Sequence, residues 1–398
     1  MENHSFTNPL FSREFLSLCL IIVAAFCNVS VFYSFYYYLG VIDIPLAWRG
    51  FLVGLEPMAA FGLRLLVLPW LHVRNAYATA MISLVFLIAV SCSYLWISSV
   101  SGLIVLRICH GAVFVLLTSA VISLIVNFIP PEQSGQGFSA LAVATMIPYA
   151  VVPPLTETIL PFVRNAADIY AGVSIFSLVG IGLMLFMHRH IHSAIGQMDK
   201  TLMQRLNLTE IRDNFQQKAV VILLAAILSL YMAHATIFYF IKNLTLQTGV
   251  GNAGIYFSIS MAAMIAVRLF GSFVLDRFDK LKLLLPILIA LILCLAILPH
   301  TATSFAFYGM AAVYGACIGV SMPVFNALLF SASAPGLRGL NTNMTLFTMD
   351  AGYFLTPYLG GVLITGGAGF NVLFYTAAGF VLLSLILINW QSRKGNGR

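Results

Sequence analysis

Apolar runs of about 20 residues recur along almost the whole chain, with little sequence left between them. Each is long enough to carry a helix across roughly 30 Å of hydrocarbon at ~1.5 Å per residue. The chain has 398 residues, of which 61% are hydrophobic and 8% charged. Soluble domains carry charge on about a quarter of their residues, so a soluble fold is excluded. With 31 Phe and 16 Tyr the chain is equally remote from disorder. It reads as a polytopic membrane protein.

Twelve spans are predicted near 14–40, 49–71, 76–97, 102–128, 138–161, 169–187, 218–241, 252–275, 283–299, 304–331, 342–366 and 369–390. The first run has no small-residue cleavage site behind it and is expected to stay as a span. All six cysteines fall inside apolar runs, so they report packing rather than a disulfide framework. The one long polar stretch, 188–217, divides the spans into two groups of six and has room for an amphipathic helix. Three organisational units follow: a first bundle at 1–187, a linker at 188–217 and a second bundle at 218–398.

Fourteen of the twenty Lys and Arg fall on the face that holds both termini and the linker, against Arg49, Arg164 and Lys242 on the other. The positive-inside rule assigns the first face to the cytoplasm. The same asymmetry accounts for the net charge of +7 without nucleic acid as a partner. Compact loops and a basic inner face fit a bacterial inner membrane.

One offset of 204 residues superimposes Gly50 on Gly254, Arg64 on Arg268, Gly111 on Gly315, Tyr149 on Tyr353 and Pro153 on Pro357. Arg, Pro and Tyr pairs sharing one gapless offset imply duplicated six-helix halves in parallel orientation. Two such halves rocking about a central cavity describe a secondary transporter that one chain completes as a monomer.

Local patterns then identify a family. Arg268-Leu-Phe-Gly271 followed by Asp276-Arg277 and Lys280 resembles the loop motif of the major facilitator superfamily, with one extra residue. Arg107, His110, Gly111 and Pro130-Pro131 are similar to the span-4 pattern of its proton-coupled members. Arg338-Gly339, Asp350, Gly352, Pro357 and Gly360-Gly361 look like span 11 of the drug, sugar and siderophore exporter branch. The resemblance runs from Glu14 to Trp390. It implies an all-α membrane fold of twelve transmembrane helices in two pseudo-symmetric six-helix bundles. It also implies alternating access, with Asp276, Arg277, Pro153 and Pro357 as gating residues. Departures are equally specific: His72 stands at the repeat position of Asp276, and Pro153-Pro154 and Glu157 stand where antiporters carry glycines around a Gly-Pro pair.

Charges inside hydrocarbon cost several kcal/mol unless paired or hydrated, which makes each a candidate functional group. Arg64 and Arg268 lie about 12 Å deep in spans 2 and 8 and can face one cavity as forks for carboxylate or phosphate. Alternatively each holds a gate, with Asp350 at the depth that suits Arg64. Glu56 and Arg107, ~8–10 Å from the other surface, can form a further pair. His110 shares the helix face of Arg107 and has the titration range of a proton relay. Glu56 and Asp350 are the leading carriers of a coupling proton, with Glu157 behind them.

Asn28, Tyr33 and His234 are deep enough to line a cavity suited to an organic solute, and repeat-related Tyr149 and Tyr353 join them or pack beside prolines. Tyr36 to Tyr38 read as an interfacial belt. His188, His190 and His192 sit in a basic juxtamembrane stretch suited to lipid headgroups, not a metal site. No cofactor-binding motif, nucleotide site or nucleophile-base arrangement appears. The expected function is proton-coupled transport of a small organic anion such as a siderophore or organic acid. Export of lipophilic or cationic drugs is the alternative, with both arginines then structural.

Overall fold

The computed structural model describes residues 11–67, 73–130, 133–197, 215–270, 279–333 and 338–395, and all regular elements among them are helical. Twelve helical spans follow in chain order. The first half comprises α1 (Arg13–Val41), α2 (Leu46–Val67), α3 (Val73–Ser93), α4 (Val100–Phe128), α5 (Ser134–Ile159) and α6 (Ala166–Val173 continuing as Ile175–Gln197). The second comprises α7 (Lys218–Thr248), α8 (Ala253–Phe270), α9 (Lys280–Ile297), α10 (Ser304–Ala332), α11 (Arg338–Thr365) and α12 (Phe370–Gly395). Counting the described residues alone, ten of them are long and apolar enough to cross a membrane by length and composition. Glu56 and Arg64 lie on α2 and Asp350 on α11.

Local chemistry sets many boundaries. Ser12, Ser99 and Thr303 accept a hydrogen bond from the backbone N–H three residues on, capping α1, α4 and α10. Asp279 caps α9 through Leu281 and Lys282 N–H. Gly249, at φ 69°, ends α7 in the left-handed conformation that a side chain disfavours. Span 7 therefore runs seven residues past the apolar run that predicts it, and Lys242 lies inside the helix rather than in a loop. Span 6 similarly continues to Gln197 instead of ending at 187. Helical hydrogen bonding extends into the polar boundary, where hydropathy no longer marks it.

Chain ends α1 start and α12 finish on one face, the terminal face; the opposite side is the far face. Across the halves, α2 packs on α11, α5 on α8, and the far part of α1 on α7. The hydrophobic core is continuous between the halves on the far side, joining Tyr33, Phe35 and Leu39 to Phe238, Phe240 and Phe257. Nearer the terminal face the first half has its own cluster around Phe15, Leu84, Leu117 and Met184. The apolar core thus joins the halves on the far side, and nearer the terminal face they meet through α2 with α11 and α5 with α8.

The duplicated glycines lie at matching contacts. A Cβ on Gly111 would strike the Glu56 carbonyl, and one on Gly315 would strike that of Ser260, which is the 204-residue mate of Glu56. Gly50 lies against Pro357 and Gly361, while Gly254 lies against Pro153 and Pro154. Pro153 and Pro357 therefore act as packing surfaces at the two half-to-half contacts on the far side.

Candidate functional site

Arg64, Arg107, Lys242 and Arg268 are four cations carried by the described spans, and the first three each have a carboxylate. Arg64 of α2 donates from Nε to Asp350 Oδ2 of α11 at 2.7 Å, both side chains buried. This ion pair joins the two halves. Arg107 of α4 lies 3.6 Å from Glu56 of α2 and donates to the carbonyls of Leu52 at 3.2 Å and Val53 at 2.9 Å. Its guanidinium also lies over the rings of Phe32 and Phe35, so this charge is held wholly inside the first half.

The third pair crosses between the halves near the far face. Lys242 of α7 donates to Glu157 Oε2 of α5, and Tyr33 of α1 donates to Glu157 Oε1 at 2.6 Å. Lys242 further lies 5.7 Å from the centre of the Tyr37 ring. Tyr36 and Tyr38 are buried against Phe240 and Tyr170 rather than spread in an interfacial belt. The belt expectation fails because α1 turns its far end inward onto α7.

Arg268 of α8 is the fourth cation. Among the described residues it has no salt bridge, and its buried Nε has no hydrogen-bond partner there. Its side chain lines a cleft of about 950 Å³ between α1, α5 and α8, where Phe15, Cys19, Val143 and Ala144 supply apolar walls. Arg64 does not reach that lining. The expected pair of forks in one cavity is therefore divided: Arg64 is engaged by Asp350, and Arg268 faces the cleft.

The remaining candidates sort by half. Asn28 is held inside the first half, donating to the Ala24 carbonyl at 2.9 Å and to Ser177 Oγ at 3.2 Å, and it accepts from Ser91 at 3.4 Å. It is a bundle cross-link rather than a cavity-lining group. His110 is enclosed by Phe32 and Tyr94, with Tyr94 Oη 3.3 Å from Nδ1. His234 shares a hydrogen bond with Tyr314 and meets Tyr353 edge-on. Tyr149 contacts Phe26 and Phe238, and Phe238 contacts Tyr353, so an aromatic series runs from α1 through α5 and α7 to α11. Asp276 and Arg277 lie outside the described residues. His190 meets Glu14 at 3.0 Å and His188 packs on Tyr77; His192 has no described side chain.

A model of the Major Facilitator Superfamily matches residues 77–349, more than half of the chain. The protein belongs to the major facilitator superfamily. Its fold is shared with the nucleoside transporter NupG. The crystal structure of an aspartate-to-alanine NupG variant aligns with a TM-score of 0.72 at 15% identity, covering 94% of this chain and 99% of NupG. A second NupG crystal structure aligns with a TM-score of 0.69 at 14% identity, covering 95% and 98%. No curated protein matches the sequence significantly. Identity this low carries the fold alone, whereas superfamily membership makes the chain a multi-pass membrane transporter of a small solute.

The contact of Glu157 with Lys242 and Tyr33 is the feature that the sequence reading did not assemble. Opposite charges near the far ends of α5 and α7 were a signal for it. The second missed signal is Met146, the 204-residue mate of Asp350. Asp350 serves Arg64, whereas its mate on α5 is an uncharged thioether.

Proposed function

We propose that the protein is a proton-coupled secondary active transporter of a small organic anion. It works by alternating access between bundles at 1–187 and 218–398, joined through 188–217, with both termini in the cytoplasm of a plasma membrane. One chain suffices. The observation that carries this reading is the charge balance inside the spans. Glu56, Glu157 and Asp350 are each matched by a cation, and Arg268 alone faces a cleft without one. An uncompensated guanidinium in apolar surroundings favours an anionic guest. A lipophilic cation would need a free carboxylate, and the described spans offer none.

Coupling is assigned to Arg64 and Asp350. A proton on Asp350 removes the charge that holds Arg64, and so loosens α2 from α11, which is the contact alternating access must remake. Glu56 and Arg107 lie within one half and keep their geometry when the halves move, so their role is to brace α2 against α4.

The test uses proteoliposomes loaded with a pH-sensitive dye and presented with succinate, benzenesulfonate or tetraphenylphosphonium. At least one of the two anions should evoke protein-dependent proton movement that Asp350→Asn abolishes. Exchange of labelled anion across the membrane should survive in that variant, because exchange needs no net proton transfer. A response to tetraphenylphosphonium with none to either anion would overturn the reading.

A further inference from the structure

The two half-to-half contacts on the terminal side derive from one duplicated plan but are filled differently. At α2 and α11, Arg64 meets Asp350, and the rings of Phe61 and Phe347 stack with centroids 3.9 Å apart. The corresponding positions at α8 and α5 hold Arg268 with Met146, and Ile265 with Val143. A carboxylate has become a thioether, and two rings have become two aliphatic side chains. The first change leaves Arg268 without its counter-charge. The second removes bulk, and the cleft lies where that bulk is missing, with Val143 and Arg268 both in its wall.

The lining specifies the guest. Phe11, Phe15, Leu16, Leu20, Val23 and Ile147 dominate it, and Gln136 and Ser139 are its other polar side chains. Phe11, Leu16, Leu20, Ile147 and Leu269 keep exposed apolar surface along it. A small hydrated anion would gain Arg268 but lose its water to walls that return few hydrogen bonds. An anion with an apolar body gains both the guanidinium and the burial of its carbon surface, at about 0.8 kcal/mol per CH2 in ordinary transfer.

We infer that the cleft between α1, α5 and α8 binds an amphiphilic anion, with its head group on Arg268 and its apolar body along α1 and α5. This rests on the organic-anion reading above and narrows it to substrates with a hydrocarbon portion. Head-group selectivity comes from Arg268, and chain-length selectivity from the α1–α5 wall. The exposed apolar margin lets such a guest arrive from the bilayer as well as from water.

The experiment measures thermal stabilisation of the full chain in zwitterionic lipid nanodiscs, since a ligand that binds the folded state raises its stability by mass action. The probes are decanesulfonate, methanesulfonate, decanol and decyltrimethylammonium. Decanesulfonate should bind at least tenfold more tightly than the other three. Arg268→Gln should lose that preference for decanesulfonate over decanol. Met146→Asp, which supplies the counter-charge that Asp350 gives Arg64, should lose it as well, and without weakening the fold. Ala140→Trp, which keeps Arg268 but fills the cleft, should lose binding of both decyl probes.

If methanesulfonate binds as tightly as decanesulfonate and depends equally on Arg268, the amphiphile inference is overturned and the anion reading stands. If all three decyl probes bind alike and Arg268→Gln changes nothing, both fall together. Unchanged decanesulfonate binding in both Met146→Asp and Ala140→Trp would place the guest elsewhere and overturn the site.

Discussion

Arg64 and Arg268 occupy equivalent positions in the two halves yet live in different electrostatic surroundings, and one residue accounts for it. Asp350 stands opposite Arg64, and Met146 takes its place on α5. Removing one member of a buried ion pair leaves the other uncompensated at a cost of about 3–5 kcal/mol. Arg64→Ala should therefore destabilise the protein strongly, whereas Arg64→Met with Asp350→Met should recover most of the loss while abolishing proton-driven transport. Denaturation midpoints of the two variants in one detergent decide this. A double variant as unstable as the single one would show that the pair is not the source of the effect. The pair itself was legible in the sequence, because counting residues from the span ends puts both groups at one depth. The isolation of Arg268 was legible only in part. The offset of 204 residues names Met146 as the mate of Asp350, but nothing in the sequence says that those mates face the arginines.

At the scale of helices, duplication explains why particular glycines recur. Gly111 lets α4 approach the α2 backbone at Glu56, and Gly315 lets α10 approach the α8 backbone at Ser260. Small residues at such crossings are how membrane helices pack without a hydrophobic driving force between them. A methyl group there meets a carbonyl that cannot move without its helix. Gly111→Ala and Gly315→Ala should each cost about 1–3 kcal/mol. Gly309→Ala, on an open face of α10, should be neutral or stabilising by up to about 1 kcal/mol through helix propensity. Thermal unfolding of the three variants provides the comparison, and equal effects at all three sites would refute the close-approach argument. The sequence offset found these glycines without their partners, because self-similarity records position along a helix and not direction around it. The same gap explains Asn28 and Tyr36. Their depth was readable, but the face they occupy was set by which neighbour α1 leans on.

The whole molecule combines a legible plan with an illegible state. Twelve spans, the parallel repeat and the division at the linker follow from hydropathy and the single offset, since hydrocarbon permits few alternatives for runs of this length. Which side is closed depends on contacts between halves that the repeat does not contain. Glu157, Lys242 and Tyr33 have Gly361, Tyr38 and Ile237 as their 204-residue mates, so the far-side latch exists once and has no counterpart across the pseudo-symmetry. It spans α5, α7 and α1, and opening of the far side must break it. A hydrogen bond to a charged group is worth about 1.5–3 kcal/mol net, which is roughly a tenfold or greater change in the ratio of two conformations. Glu157→Gln should accordingly shift the population toward the far-side-open form, with Lys242→Gln acting in the same direction. Spin labels at the far ends of α5 and α7 would register this as growth of a longer distance component. The double variant should add little beyond either single one, because the two groups share one contact. Unchanged distances in both single variants would mean that the glycine and proline contacts of α2 with α11 and α5 with α8 hold the far side shut by themselves.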